Sequence, residues 1–333
     1  MTDRCTTFDT LLAERDVLVA DGAMGTTLFS LGLQGGGCPE LLNVEQADLV
    51  EKVHRSFIEA GADIILTNTF GGNTRRLALH GLEDRVDELN RAAVDRARAA
   101  VALADRPVAI AGSIGPTGDL FQPLGPLSHR EGVAVFAEQA RALAEAGADV
   151  LWIETLSSWE ELEAAVEAAS VFGIPVSATM SFDTRGRTMM GITGSELGEW
   201  WAGHSVSTTA IGANCGIGPG DAVAVALDVI SVAPDAVVVA KANCGMPLYD
   251  TDRLVYPVGP EKMFDYVELA VRAGARVIGA CCGSTPDHVA AIREAVDGRV
   301  GGARPDHAEI EHRLEASPTA IVGTARRNRR RAS

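Results

Sequence analysis

The chain has 333 residues, a length that fits one large α/β domain with extensions, and its 47% apolar and 22% charged residues are typical of a globular protein. Its net charge of −16 argues against nucleic acid as a ligand, because phosphate binding needs a basic face. The N-terminus has no apolar signal core, and no apolar run reaches about 18 residues, so we expect a cytoplasmic protein without a membrane partner.

Eight short apolar runs, each rich in Val, Ile or Ala, alternate with amphipathic segments. The runs are residues 17–20, 64–67, 108–111, 150–154, 176–180, 209–213, 237–241 and 276–280. Such runs are typical of parallel strands that are covered on both faces. Helical spacing between them, for example in 47–60 and 160–172, completes eight βα units. Eight such units in series predict an α/β fold with a single closed (β/α)8 TIM barrel.

An internal repeat supports this prediction. The tripeptide Ala-Gly-Ala occurs at 60–62, 146–148 and 273–275, each time before an apolar run, and indicates a helix end, a glycine stop and a strand start. A doubly wound open sheet is the rival architecture, but its dinucleotide fingerprint is missing. Residues 112–130 are predicted to form a loop over the barrel mouth, and glycines 35–37 another loop after the first run.

The domain division is predicted from composition. No Pro/Ser-rich linker interrupts residues 1–300, so we expect them to form the barrel as one domain. Residues 301–333 are expected to be a polar C-terminal extension, partly disordered. The basic cluster at 325–331 belongs to this extension, and we interpret it as a disordered end rather than as a nucleic-acid arm.

Three cysteines end two of the apolar runs. Cys215 follows the sixth run, and Cys281 and Cys282 follow the eighth, so in a barrel they meet at the C-terminal face of the strands. Three protein ligands and one open position describe a catalytic Zn²⁺ site. Three buried hydrophobic thiols are the alternative, and a strained vicinal disulfide is a further one that a reducing compartment disfavours.

A zinc ion held by three thiolates favours a particular chemistry. Such a site activates water poorly, but it suits a fourth thiolate, whose pKa it lowers and which it keeps nucleophilic at neutral pH. The cysteines therefore predict attack by a substrate thiol on an electrophile, most simply the transfer of an alkyl group.

Four motifs of the chain resemble the homocysteine S-methyltransferase family. They are Asp-Gly-Ala-Met-Gly-Thr-Thr at 21–27, Gly-Ala-Asp-Ile-Ile-Leu-Thr-Asn-Thr-Phe at 61–70, Gly-Ala-Asn-Cys-Gly at 212–216 and Gly-Ala-Cys-Cys-Gly-Ser-Thr-Pro-Asp-His at 279–288. The resemblance covers about residues 15–295. It implies a zinc-dependent (β/α)8 barrel in which homocysteine receives a methyl group and becomes methionine.

The resemblance also implies roles for individual residues. Cys215, Cys281 and Cys282 match the zinc ligands on which catalysis depends. Asp21 and Gly22 match positions that hold the amino-acid part of homocysteine, and Glu154 matches the acid that binds its ammonium group. A helix cap or a surface ion pair is the alternative for either acid taken alone.

The remaining polar residues at the strand ends have less specific roles. Asn68, Asn214 and Asn243 are candidates for orienting the substrate carboxylate or for supplying a weak fourth metal ligand when substrate is absent, with turn formation as the alternative. Cys244 is a further candidate for a resting ligand, whereas Cys5 and Cys38 are interpreted as incidental.

The methyl donor is less defined. Betaine or another small onium compound is the expected donor, and aromatic faces that could hold it are Phe70, Phe121, Trp152, Trp159 and Phe182. No cobalamin- or folate-binding domain follows in this chain. The alternative is therefore a homocysteine-activating subunit of a split methionine synthase, which receives its methyl group from a separate corrinoid protein.

A different barrel enzyme is the second alternative. Lys241 on the seventh run would form a Schiff base, and Gly283-Ser-Thr would hold a phosphate group at a helix N-terminus. This hypothesis leaves the three cysteines without a role.

Overall fold

The structure is a computed structural model that describes residues 6–204, 207–250, 253–298 and 301–315. Its centre is a parallel sheet of eight strands, labelled β1 to β8 in chain order. They are β1 Leu18–Val19, β2 Ile64–Leu66, β3 Ala109–Ile114, β4 Val150–Leu156, β5 Val176–Met180, β6 Ala210–Cys215, β7 Val237–Ala242 and β8 Ala275–Ala280. Each predicted apolar run contributes one of these strands.

The sheet closes on itself. Neighbouring strands pair in sequence order, and β8 pairs with both β7 and β1, where Leu18 lies opposite Val277. A parallel bridge between Ala20 and Ile64 joins β1 to β2, and the N–H of Asp21 donates to the carbonyl of Ile64 at 2.9 Å. The predicted single (β/α)8 barrel is therefore confirmed.

Helices surround the barrel. Within the described ranges they are α1 Thr7–Glu14, α2 Met24–Ser30, α3 Leu42–Glu45, α4 Ala47–Glu59, α5 Thr74–Leu77, α6 Val86–Val101, α7 His129–Ala146, α8 Trp159–Ser170, α9 Gly194–His204, α10 Pro219–Val232, α11 Met263–Ala273, α12 Pro286–Asp297 and α13 His307–Leu314. Short 3₁₀ turns occur at Pro39–Leu41, Ala78–His80, Glu83–Arg85 and Pro260–Lys262, and a hairpin of Leu248–Asp250 with Arg253–Val255 follows β7.

Local sequence explains where these helices begin and end. A capping box of Ser128 and Glu131 begins α7, since each side chain accepts a backbone N–H that the helix leaves unpaired. The glycines of the repeated tripeptide end three helices in the left-handed region, with φ of 105° at Gly61, 100° at Gly147 and 109° at Gly274. The predicted sequence of helix end, glycine stop and strand start is confirmed at all three places.

The apolar core has two layers. One fills the space between strands and helices, and the other fills the barrel, where Trp152, Val239 and Val277 are completely buried. Phe8 and Leu11 of α1 pack into the inner layer. Burial of a side chain of this size contributes about 1.5–3 kcal/mol, so these layers stabilise the strand ends that carry polar groups.

One predicted loop is shorter than expected. The sequence indicated a loop over 112–130, but residues 112–114 continue β3 and 129–130 begin α7. The reason is Ser113, a polar residue inside the strand whose hydroxyl donates to Glu154 and whose carbonyl accepts from Thr69. Glycines 35–37 do lie in a loop between α2 and α3, as predicted.

The described part of the C-terminal extension contains a helix. Helix α13 packs against α10 and α11, with Ile310 completely buried and Arg272 donating to Glu309 at 2.7 Å. The basic cluster at 325–331 lies outside the described residues, and the domain division at residue 300 remains a prediction. Among the described residues, no helix has the length and apolarity that crossing a membrane requires.

Candidate active site

Three cysteine side chains meet at the C-terminal end of the barrel. The Sγ atoms of Cys215, Cys281 and Cys282 lie within 4.8 Å of one another, and those of Cys215 and Cys282 are 3.8 Å apart. A tetrahedral zinc ion with Zn–S bonds of about 2.3 Å separates its sulfur ligands by about 3.8 Å. The spacing and the soft donor atoms therefore fit the predicted zinc ion.

The backbone around Cys215 is held in an unusual conformation. Cys215 has a φ of 60°, a region that residues other than glycine rarely adopt, and Gly216 follows with a φ of 70°. Asn243 stabilises this turn, because its N–H donates to the carbonyl of Cys215 at 3.3 Å and its Nδ2 donates to that of Gly216 at 2.8 Å. Strain of this kind persists only where the surroundings impose it, and it is concentrated at functional sites.

The thiols influence one another strongly. Hydrogen bonds from Cys215 and Cys282 hold the pKa of the Cys281 thiol well below its usual value, and the contact with Cys281 raises the pKa of Cys215. Tyr256 lies beside the cluster, where burial and the neighbouring thiols raise the pKa of its phenol to about 12.

Asp21 follows β1 and the bridge residue Ala20, and it is 1% exposed. Its Oδ2 accepts the N–H of Leu66 at 2.8 Å, and its Oδ1 faces Nζ of Lys241 at 3.5 Å without a hydrogen-bond partner among the described residues. Burial raises the pKa of this carboxyl to about 6, although Lys241 opposes the change. Asp21 thus offers one buried oxygen that is still able to accept.

Glu154 lies on β4 and is also buried. The hydroxyl of Ser113 donates to its Oε1 at 2.5 Å, and Nδ2 of Asn214 lies 3.5 Å from its Oε2. Burial raises the pKa of Glu154 to about 7, with Lys241 again opposing. For Lys241, burial lowers the pKa, but Asp21, Cys281 and Glu154 together raise it above its usual value.

A cavity of about 470 Å³ connects these groups. It is lined by Glu154, Lys241 and the three cysteines together with Gly22, Asn68 and the partly exposed rings of Phe29 and Phe70. Gly22 is required at its position, because a Cβ there would lie 2.5 Å from the ring of Phe57 and 2.7 Å from Oγ of Ser284. The cavity therefore places thiols, carboxylates and a cation around one small ligand volume.

The three asparagines occupy different places. Asn68 lines the cavity, but its Nδ2 donates to the carbonyl of Pro39 at 2.7 Å. Asn214 binds Thr155 and Thr179, and Asn243 binds the turn after β6. The contacts of Asn243 agree with the turn-forming alternative, whereas those of Asn214 join neighbouring strands. A substrate contact by Asn68 or Asn243 remains a prediction.

Few of the aromatic candidates reach the cavity. Phe70, 38% exposed, lines it, whereas Phe121, Trp152 and Phe182 belong to the core and Trp159 stacks on Trp200.

The other cysteines are outside the metal-binding group. Cys244 is completely buried, the thiol of Cys38 donates to Glu40, and Cys5 lies outside the described residues.

Two residues near the site have no role in the sequence-based interpretation. Glu40 is a buried carboxylate on the cavity wall that accepts the N–H of Gly71 at 2.6 Å. Tyr256 packs so closely on Gly283 that a Cβ at Gly283 would lie 2.5 Å from Cβ of the tyrosine. The Pro39-Glu40 pair after the glycine-rich loop is a weak sequence signal for Glu40. No spacing in the sequence indicates Tyr256.

Comparison with known proteins agrees with this geometry. The family model described as homocysteine S-methyltransferase matches residues 18–296. The chain belongs to the homocysteine S-methyltransferase family. This match confirms the resemblance that the sequence motifs indicated. At the level of the family, it also confirms the expectation that the protein is an S-methyltransferase.

Two curated relatives of the chain are methionine synthases. The chain is 33% identical to that of Mycobacterium leprae over 334 residues, which cover 93% of this chain and 27% of the relative. It is 32% identical to that of Mycobacterium tuberculosis over 305 residues, which cover 86% of this chain and 25% of the relative. The chain thus spans about a quarter of the length of these relatives.

A solved family member has the same fold. The homocysteine methyltransferase MmuM from Escherichia coli in its metallated form superposes with a TM-score of 0.73 at 26% identity, covering 86% of this chain and 99% of MmuM. The apo form gives a TM-score of 0.68 at 25% identity, with 87% and 99% covered. The similarity therefore extends over nearly the whole of MmuM.

Proposed function

We propose that this protein is a zinc-dependent homocysteine S-methyltransferase that forms methionine from homocysteine and a methyl donor. The observation that carries the proposal is one cavity lined by three clustered thiols and by the buried carboxylate Glu154, with Asp21 beside it. The family match supports the reaction class, and the existence of a metallated form of MmuM supports a metal at the thiols.

Cys215, Cys281 and Cys282 are the residues that would hold the zinc ion. When bound, zinc lowers the pKa of the substrate thiol, so that the thiolate persists at neutral pH. Three protein ligands would leave one position of a tetrahedral zinc site for the substrate thiol, and the cavity that the cysteine side chains line would hold that substrate. The free thiols of the described cysteines agree with a reducing, cytoplasmic environment, which is part of the proposal.

The carboxylates bind the other end of the substrate. Asp21 and Glu154 accept hydrogen bonds from the ammonium group, Ser113 orients Glu154, and Gly22 lines the cavity next to Asp21. The thiolate sulfur then attacks the methyl carbon in line, and the donor leaves with the electron pair of the broken bond. Fixing both reactants in this cavity reduces the entropic cost of the encounter.

The donor that we propose is a small onium compound such as betaine. Phe29 and Phe70 present partly exposed rings at the cavity, and aromatic faces attract methylated cations. Asn68 and Asn243 are retained as further candidate substrate contacts.

A second function is favoured by the activity named for the relatives. Both are methionine synthases, so the second candidate is the homocysteine-activating subunit of a split methionine synthase. A separate corrinoid protein would then deliver the methyl group.

The two functions are separated by a donor panel with homocysteine. Betaine, S-methylmethionine, dimethylsulfoniopropionate, methylcobalamin and methyltetrahydrofolate are each tested, and methionine is measured. Turnover with a free onium compound supports the first function, and turnover only with methylcobalamin or a corrinoid protein supports the second.

The zinc ligands are tested by substitution. We expect Cys282→Ser to lose bound zinc and methionine formation together, whereas Cys38→Ser, outside the cluster, retains both. Full zinc content and full methylation in Cys282→Ser would contradict the proposal.

A further inference from the structure

Lys241 is a buried cation at the cavity for which the reaction above has no role. It lies on β7, is 3% exposed and lines the cavity. Its Nζ donates to the carbonyl of Ala280 at 2.8 Å and lies 3.5 Å from Oδ1 of Asp21. An ammonium group has three N–H donors, so Ala280 and Asp21 leave one donor available.

The charge of the surrounding groups indicates which ligand group this N–H donor would bind. Glu154 lies on the cavity wall and Asp21 beside it, and the negative charges of these two carboxylates would repel a substrate carboxylate that has no cation to pair with. The other basic residues that line the cavity are Arg76, which is half-buried, and His80, which is exposed. Lys241 is the most deeply buried of the three.

We propose that Lys241 binds the carboxylate of the amino-acid thiol and thereby restricts the methyl acceptor to thiols with a free α-carboxylate. The inference rests on the proposed function, because it assigns a residue to the same substrate. The zwitterion is then bound at both charges, with its ammonium group on Asp21 and Glu154 and its carboxylate on Lys241. Lys241 acts as a charged donor here, not as the nucleophile of a Schiff base.

A purely structural role is the competing explanation, in which Lys241 neutralises Asp21 and contacts no ligand. The two explanations differ in how Lys241→Met affects ligands with and without a carboxylate. L-methionine and 3-(methylthio)propylamine form such a pair, since they differ only in that group. Their dissociation constants are measured by calorimetry on the full chain, and this measurement needs neither metal nor methyl donor.

We expect Lys241→Met to weaken methionine binding roughly 10- to 100-fold, the effect of losing one charge-assisted hydrogen bond, and to leave binding of the amine unchanged or tighter. Lys241→Arg should restore part of the methionine affinity. Equal weakening for both ligands would overturn the proposal and leave Lys241 as a structural counter-ion.

Wild-type protein provides a test that does not depend on the folding of a variant. It should methylate homocysteine with a much lower KM than 3-aminopropane-1-thiol, which lacks the carboxylate, at similar kcat. Equal KM values would overturn the inference about Lys241 while leaving the methyltransferase function intact. Absence of methylation of either thiol with every donor, combined with normal methionine binding, would instead contradict the proposed function.

Discussion

The backbone N–H of Thr155 donates to Oδ1 of Asn214 at 2.8 Å. Thr155 has a φ of 65°, and Nδ2 of Asn214 donates back to its hydroxyl at 2.7 Å. The same Oδ1 also accepts the hydroxyl of Thr179. Thr155 follows Glu154 on β4, and Asn214 precedes Cys215 on β6. The side-chain amide of Asn214 therefore connects the end of β4, which carries the acid Glu154, to the end of β6, which carries Cys215.

Substitution of Asn214 should therefore change the position of Glu154 without removing a metal ligand. Asn214→Ala leaves the N–H of Thr155 without its acceptor and the hydroxyl of Thr179 with only the carbonyl of Ile153 at 3.3 Å. We expect this loss to cost about 1–3 kcal/mol of unfolding free energy. We also expect a higher KM for homocysteine with zinc content retained. Urea denaturation, metal analysis and steady-state kinetics check these outcomes.

The matched control is Ser170→Ala, which removes an exposed hydroxyl that donates to the carbonyl of Glu167 at the end of α8. It should change neither stability nor KM appreciably. An Asn214→Ala variant that behaves like this control would show that the connection between the two strands has no functional effect.

The sequence predicted the frame of the site well, because that frame depends on short-range patterns. Apolar runs gave all eight strands, and the glycine repeat gave three helix ends, since both are determined by local backbone and burial preferences. Cysteines at two strand ends predicted a cluster because parallel strands in a barrel end at the same face.

The parts that could not be predicted depend on side-chain direction and on distant segments. Asn68 and Asn243 follow strands and Asn214 lies in one, yet their side-chain amides bond to other groups of the protein, such as the carbonyls of Pro39 and Gly216 and the N–H and hydroxyl of Thr155. The pairing of Lys241 with Asp21 requires the register between strands that are far apart in the chain. The predicted loop over 112–130 was wrong at its start because Ser113 satisfies its polar groups inside the strand.

The buried acids predict a pH dependence of substrate binding. Glu154 and Asp21 must be ionised to bind an ammonium group, and burial raises their pKa values to about 7 and about 6. Both are protonated at low pH, so the KM for homocysteine should fall as the pH rises from about 5 to about 8. Glu154→Gln should raise KM at high pH and remove the upper part of this dependence. Profiles of KM against pH for wild type and variant that coincide would contradict the assignment.

His54 predicts a loss of stability in acid. The side chain is completely buried on α4, neither ring nitrogen has a hydrogen-bond partner among the described residues, and burial lowers its pKa to about 4. The unfolded chain takes up this proton near its usual pKa of about 6.5, so stability falls as the pH drops from about 6.5 to about 4. The shift corresponds to a loss of about 3 kcal/mol at most.

Urea denaturation between pH 4 and 7 tests this loss. His54→Leu removes the titrating group and should flatten the profile over this range. The control His129→Gln replaces an exposed histidine that is paired with Glu167, and it should keep the wild-type slope. If the profile of His54→Leu has the same slope as that of wild type, the acid sensitivity has another origin.

Gly283 predicts a close connection between Tyr256 and the zinc ligands. Gly283 directly follows Cys282 and has a φ of 82°, and a Cβ there would overlap the tyrosine ring. Gly283→Ala must move Tyr256 or the backbone beside the thiol, so both zinc affinity and unfolding free energy should fall. Tyr256→Ala combined with Gly283→Ala removes the overlap with the ring, but the Cβ atom of residue 256 would still lie 2.5 Å from the new Cβ. The unfavourable φ, which costs about 1 kcal/mol or more, also remains, so recovery should be partial.

Chelator competition for zinc and urea denaturation measure the two quantities. Gly203→Ala in α9 is the control, because a Cβ there meets no atom within 4 Å and the glycine has no positive φ. It should leave zinc affinity unchanged and increase stability slightly, since alanine favours a helix over glycine. Zinc affinity in Gly283→Ala equal to that of this control would show that Tyr256 and the position of Cys282 are independent. Full recovery in the double variant would instead assign the whole effect to the ring overlap and none to the backbone.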